Sequence, residues 1–308
     1  MGPDELVRMG HVASRHYRDG LTRVEIAEEL GISRFKVGRL LDRAREMGIV
    51  RVEITTFGTI DVDLSVQLRK TFGLYRALAV ITPDTDDEIM RHNLGSAAAQ
   101  LLSEIIEEGD LIGLAAGRTL NAMSAQLSTL PHCDCVGLGG VASPVVEHGI
   151  EVVRQFAQAA GGRSWPIFAP LLVDSPSSAK SLRQDPHISQ AYSRFPEVTK
   201  AVVAIGSLNP PDSQLYDAAQ RLGVADRFLT RGAAGEMLST LYDENGSIID
   251  VFDDVSLAMS ETQLRAVPEV IAVAGGQRKT AAVLAGLRTG IIDSLVTDFA
   301  LAQRLLQR

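Results

Sequence analysis

From about residue 76 to the end of the chain, short apolar runs alternate with longer stretches of helical periodicity. No other feature restricts the fold as much. The runs are Ala77–Ile81, Leu111–Ala115, Val136–Leu138, Ser164–Phe168, Ala201–Ile205, Val270–Val273 and Ser294–Val296. Between them, Glu88–Glu107, Leu120–Leu127, Glu147–Ala160, Pro186–Phe195, Ser213–Leu222 and Gln277–Leu287 carry apolar residues three and four apart. A strand that returns through a helix pairs parallel with its neighbour. Strands this apolar are buried on both faces, so helices must cover the two sides. The expected class is therefore α/β, with a Rossmann-like, mostly parallel sheet.

In an open sheet of this kind, ligands sit beyond the carboxyl ends of the strands. The residues that follow each strand are thus the candidate site. Leu111–Ala115 is followed by Ala116-Gly117-Arg118-Thr119, Val136–Leu138 by Gly139-Gly140, and Ala201–Ile205 by Gly206-Ser207. Val270–Val273 runs into Ala274-Gly275-Gly276-Gln277-Arg278-Lys279-Thr280, and a further loop is expected over Gly232-Ala233-Ala234-Gly235-Glu236. Glycine lets the backbone approach a ligand closely, and a helix start offers unpaired N–H groups to an anion. Thr119 adds a hydroxyl, and Arg118 and Lys279 add positive charge. Together these suit a phosphate, while Glu236 suits sugar hydroxyls. The expected ligand set is Gly117, Arg118, Thr119, Gly139, Gly140, Gly206, Glu236 and Lys279.

Several chemistries are excluded. The nucleotide-binding pattern G-x-x-x-x-G-K-[ST] is absent, and Gly113…Gly117 lacks the spacing of a dinucleotide fingerprint. No Cys/His set has zinc-ligand spacing. The only cysteines, Cys133 and Cys135, lie on alternate positions of one run and read as buried thiols. No metal and no cofactor are expected.

The first 56 residues follow different rules. A helix is expected over residues 4–19, with Gly20 ending it. Thr22 caps a second helix and Glu25 completes a capping box; Gly31 stops it. Ser33 caps a third, Lys36–Met47, which carries Val37, Leu40, Leu41 and Ala44 on one face. Ile49–Thr55 alternates as a short strand. Two short helices joined at a glycine turn make a helix-turn-helix, and the trailing strand would be its wing.

Charge separates the two parts. The 308-residue chain has a formal net charge of −8. Residues 1–56 hold ten Lys and Arg against nine Asp and Glu, and Ser33–Gly48 is locally +3; the remaining −9 belongs to residues 57–308. A generic helical hairpin explains the apolar positions. It does not explain why the outward ones include Ser33, Arg34, Lys36, Arg39 and Arg43. Those residues, with Thr22 and Arg23, are the expected contacts to double-stranded DNA.

The expected organisation is a DNA-binding domain over 1–56, a linker or oligomerisation helix within 57–75, and an effector-binding domain over 76–308. No apolar run approaches the ~18 residues of a membrane span, and the N-terminus lacks the pattern of a signal peptide. A cytoplasmic protein with no membrane partner is expected.

Four segments together carry a family resemblance: GLTRVEIAEELGISRFKVGRLLDRAREMGIVRVEI, GDLIGLAAGRTLNAM, GAAGE and PEVIAVAGGQRKTAAVLAGLRTGIIDSLVTDFALAQRLL. In this order, over nearly the whole chain, they resemble the SorC family of bacterial sugar-responsive transcriptional regulators. The resemblance implies a helix-turn-helix joined to a sugar-binding domain similar to sugar-phosphate isomerases and CoA-transferases. It implies a homo-oligomer, dimer or tetramer, on a palindromic operator, and a phosphorylated sugar or polyol derivative as effector. It places phosphate contacts at Gly117, Arg118, Thr119 and Lys279. The acidic residue facing the sugar is Glu236, where the family usually has Asp. Ala115-Ala116, Gly137 and Gly139 replace larger or polar residues, which implies a roomier pocket. The rival expectation is a sugar-phosphate isomerase-like enzyme with an accessory DNA-binding module, in which Lys279 or Glu236 would be catalytic.

Overall fold

The computed structural model describes residues 2–50, 59–83, 86–142 and 147–307. The chain divides into two compact units, Met1–Phe57 and Gly58–Arg308.

The first unit contains α1 (Pro3–Tyr17), α2 (Arg23–Leu30) and α3 (Arg34–Glu46). The starts of α2 and α3 follow from their caps. Thr22 accepts from the Glu25 N–H while the Glu25 carboxylate accepts from the Thr22 N–H, at 3.3 and 2.7 Å. Ser33 Oγ accepts from the Lys36 N–H at 3.2 Å. Gly31 ends α2 in the left-handed conformation, φ +62°, which a side chain rarely adopts. Met9, Val12, Ala13, Ile26, Ala27, Val37, Leu40, Leu41 and Ala44 form one buried cluster. Val24 of α2 is exposed. The wing strand expected over Ile49–Thr55 lies mostly outside the described residues, and Ile49 and Val50 are not in a strand.

The second unit is an α/β body. Its strands are β1 (Ile60–Asp61), β2 (Arg76–Val80), β3 (Leu111–Leu114), β4 (Asp134–Gly137), β5 (Ser164–Trp165), β6 (Lys200–Ala204), β7 (Gly206–Leu208), β8 (Pro211–Asp212), β9 (Ala233–Met237), β10 (Thr240–Asp243), β11 (Ile248–Ile249), β12 (Glu269–Val273) and β13 (Ser294–Asp298). Its helices are α4 (Val62–Phe72), α5 (Asp87–Ile105), α6 (Arg118–Ser124), α7 (Glu147–Ala160), α8 (Pro176–Arg183), α9 (Pro186–Arg194), α10 (Gln214–Arg221), α11 (Asp226–Leu229), α12 (Glu261–Arg265), α13 (Thr280–Arg288) and α14 (Phe299–Leu306).

Among the described residues, one sheet has eight strands in the order β1-β2-β13-β12-β6-β3-β4-β5. Every pair is parallel except β1 with β2 at the edge. The strands of its centre, Leu111–Leu114 and Glu269–Val273, are buried at every position, as two-sided coverage demands. Helices α4, α5, α6, α7, α9 and α14 pack against it. The order runs outward from β3 to β4 and β5, then restarts on the other side with β6 and β12. The crevice between β3 and β6 is thus a topological switch point.

The alternation did not reveal a second sheet. It is antiparallel, in the order β11-β10-β9-β7-β8. Only Ile205 separates β6 from β7, so the chain leaves the parallel sheet at its carboxyl edge and enters the smaller one directly. The segment expected as a loop, Gly232–Glu236, is instead mostly strand β9. Gly235 allows this: a side chain there would meet Tyr242 and Ala282 at 2.8 Å. The strand expected over Ser164–Phe168 ends at Trp165, because Pro166 has no N–H to continue the ladder. The helix expected to start at Gln277 opens with one 3-10 turn, Gln277–Lys279, before α13.

Candidate functional site

The carboxyl ends of β3, β4, β6 and β12 open onto one cavity of about 260 Å³. All eight residues of the expected ligand set line it: Gly117, Arg118, Thr119, Gly139, Gly140, Gly206, Glu236 and Lys279. The chain brings them there from five separate segments.

The glycines set how close these segments come. A Cβ on Gly140 would lie 2.4 Å from the Ala169 carbonyl oxygen, so only glycine lets the chain beyond β4 pass that close to Ala169 and Pro170. Gly206 pairs with Glu236 across β7 and β9. A Cβ there would lie 2.0 Å from Glu236 Oε1, so Gly206 is what leaves room for the carboxyl group. No side chain caps the start of α6, where Arg118 and Thr119 lie.

The charged groups form a connected set. Lys279 donates to the Ile205 carbonyl at 2.7 Å and its Nζ lies 3.9 Å from Asp212 Oδ2. Arg118 pairs with the other oxygen of Asp212. Burial pushes the Lys279 amine below its usual range, with Asp212 pulling the other way. Burial alone would raise Asp212, but Lys279 and Arg118 outweigh it and hold the carboxyl below its usual range. Glu236 is buried against Gly206 and accepts a 2.8 Å hydrogen bond from Ser213. Burial drives its pKa up to about 7, with Ser213 and Lys279 opposing. The cavity thus has a cationic end and a weakly acidic carboxyl, with the apolar side chains of Leu171, Ile205 and Leu238 also in its wall.

In the first unit, Thr22, Arg23, Ser33, Arg34, Lys36, Arg39 and Arg43 are all exposed. Thr22 and Ser33 are committed to the caps. Arg43 pairs with Glu5 of α1 at 2.5 Å. Arg34 lies over the exposed ring of Phe35, 5.0 Å from its centre. Arg34, Lys36 and Arg39 form no ion pair among the described residues.

Residues 59–307 match the model of the family described as "Putative sugar-binding domain". The uncharacterised transcriptional regulator YjhU of Escherichia coli K12 is 31% identical, with 96% of this chain and 93% of the relative aligned. The sorbitol operon regulator of Klebsiella pneumoniae is 29% identical over 99% of both chains. The crystal structure of the full-length regulator, SorC, superposes with a TM-score of 0.75 at 28% identity, covering 98% of this chain and 99% of that one. The chain belongs to the SorC family of transcriptional regulators.

Sequence reasoning found the cations and the carboxylate of this SorC-family pocket but missed what joins them. Asp212 and Ser213 link Arg118, Lys279 and Glu236, and Arg91 and Met90 of α5 also line the cavity. Ser213, placed within the expected helix Ser213–Leu222, is the cap of α10, where it accepts from the Tyr216 N–H at 3.2 Å. Nothing local marks its second role, since Glu236 is 23 residues away. Cys133 and Cys135 are free and buried. Burial raises them to about 11 and about 12, so they are not activated thiols.

Proposed function

We propose that this chain is a DNA-binding transcriptional regulator of carbohydrate catabolism, controlled by a phosphorylated sugar or polyol derivative. The observation that carries the reading is the convergence of Arg118, Thr119, Lys279 and Glu236 on one cavity at the switch point of the sheet. Arg118 and Lys279 would hold the phosphate, with backbone N–H groups beside Gly117, Gly139, Gly140 and Gly206. Glu236 would take the hydroxyls. The name of the sorbitol operon regulator supports a sugar-type effector and an operator partner. Pocket and family argue for a regulator and not an enzyme.

Helix α3 would enter the major groove, with Arg34, Lys36 and Arg39 contacting bases or phosphates. Arg guanidinium groups pair bidentately with guanine. Thr22, Arg23, Ser33 and Arg43 would position the backbone. One module reads few base pairs, so a homodimer or homotetramer on a palindromic operator is part of the reading. The linker helix α4 would contribute to that assembly. The site of action is the cytoplasm. Among the described residues no helix is long and apolar enough to cross a membrane.

The test has two arms. In a salt-dependent gel-shift assay, Arg34→Ala with Lys36→Ala should abolish specific binding while the melting profile is kept. In thermal melts against a panel of sugar phosphates, at least one should stabilise the chain, and Lys279→Ala should lose that stabilisation. Unchanged DNA binding, or a panel without any shift, refutes the corresponding half.

A further inference from the structure

Two of the cations that line the cavity, Arg118 and Lys279, already share an anion. Asp212 offers one carboxylate oxygen to Arg118 and the other to Lys279, on the cavity wall. Its side chain keeps 24% of its surface exposed, so it is neither sealed in nor free. Two cations bridged by two oxygens of one anion is the arrangement that a phosphate group would also make there.

Asp212 is also placed to report on its own displacement. It ends β8, the edge strand that pairs with β7 through Ser207 and Asp212. The next residue, Ser213, donates to Glu236 and caps α10. Moving Asp212 therefore pulls on the carboxyl end of the cavity and on the start of a helix.

We propose that Asp212 is a built-in counter-ion, and that an anionic group of the ligand binds by exchanging with it at Arg118 and Lys279. The proposal rests on the anion-site reading above. Among the three paired groups, Arg118, Lys279 and Asp212, two cations and one carboxylate leave a single positive charge. A phosphate group, carrying about −1.5 to −2 at neutral pH, could not share that site without facing Asp212 at close range. It releases the carboxylate instead. The exchange favours doubly charged groups over singly charged ones, because a monoanion gains nothing over the carboxylate it replaces. The ligand class is then a phosphate ester, in preference to a sugar acid.

Calorimetric titration of the full chain with inorganic phosphate tests this. Asp212→Asn keeps the shape of the side chain and removes its charge; Asp212→Ala removes both. Each should bind phosphate at least about tenfold more tightly than the unsubstituted chain, the scale of a close like-charge contact removed. Lys279→Ala should lose binding. If Lys279→Ala loses binding but both Asp212 variants bind equally or more weakly, Asp212 only positions the cations, and the counter-ion proposal is overturned while the anion site stands. If none of the four chains binds phosphate, the anion-site reading falls and takes the proposal with it.

Discussion

At the residue scale, Glu236 has the most consequential surroundings. It is buried, touches no guanidinium, and receives one hydroxyl from Ser213, so its pKa rises from 4.5 to about 7. A group whose folded value lies above its unfolded value holds a proton that the unfolded chain gives up. Its contribution to stability is complete below about pH 4.5 and lost as pH rises through about 7. A shift of this size corresponds to about 3 kcal/mol. Glu236→Gln, which cannot ionise, should remove that loss. Urea denaturation at pH 5 and pH 8 checks it: relative to the Gln variant, the unsubstituted chain should lose a few kcal/mol between the two. Parallel pH dependences would mean the carboxyl titrates near its ordinary value. Glu236 and Lys279 stood out in the sequence because each follows glycines in a segment expected as a loop. Asp212 did not, because its role depends on a register that pairs Ser207 with Asp212, and no local pattern encodes that pairing.

At the element scale, what was legible is what local chemistry decides. Thr22 with Glu25, Gly31 and Ser33 write both ends of α2 and the start of α3 into one short stretch of chain, and the structure uses each of them. The small antiparallel sheet was illegible for the opposite reason. Its strands have two to five residues, too short for a period to show, and β9 is rich in small residues that read as a loop. Its strands are held by pairing and by the packing of α13, which are decided far away in sequence. The caps carry a prediction. Thr22→Ala and Ser33→Ala should each destabilise the first unit by about 1 kcal/mol, seen as faster amide exchange at Ile26 and Val37. The single tryptophan, Trp165, lies in the second unit. Its fluorescence melt should stay unchanged in both variants. A shift there would mean the caps do more than start their own helices.

At the scale of the whole molecule, the charge of −8 describes neither part. The first unit is near neutral with a basic helix, and the second carries −9. A body of that sign repels a phosphate backbone, so the proposed DNA contact would be left to the residues of α2 and α3. It also makes Arg118 and Lys279 unusual, as cations held on an acidic domain where the proposed effector would place its anion. If the proposed effector alters operator affinity, it must bind differently to two states of the chain, since equal binding shifts nothing. The coupling is then reciprocal: whatever factor the effector applies to DNA affinity, the operator must apply to effector affinity. Such factors are typically about 5- to 150-fold. The expected outcome is that a sugar phosphate found in the melting panel binds with two affinities, measured with and without saturating operator. Their ratio should equal the change in operator affinity measured with and without that ligand. Arg34→Ala with Lys36→Ala should erase the difference, leaving the DNA-free affinity in both titrations. A ratio of one alongside a ligand-dependent operator affinity would break the linkage, and would mean that the ligand reaches the DNA by some route other than the site at Lys279.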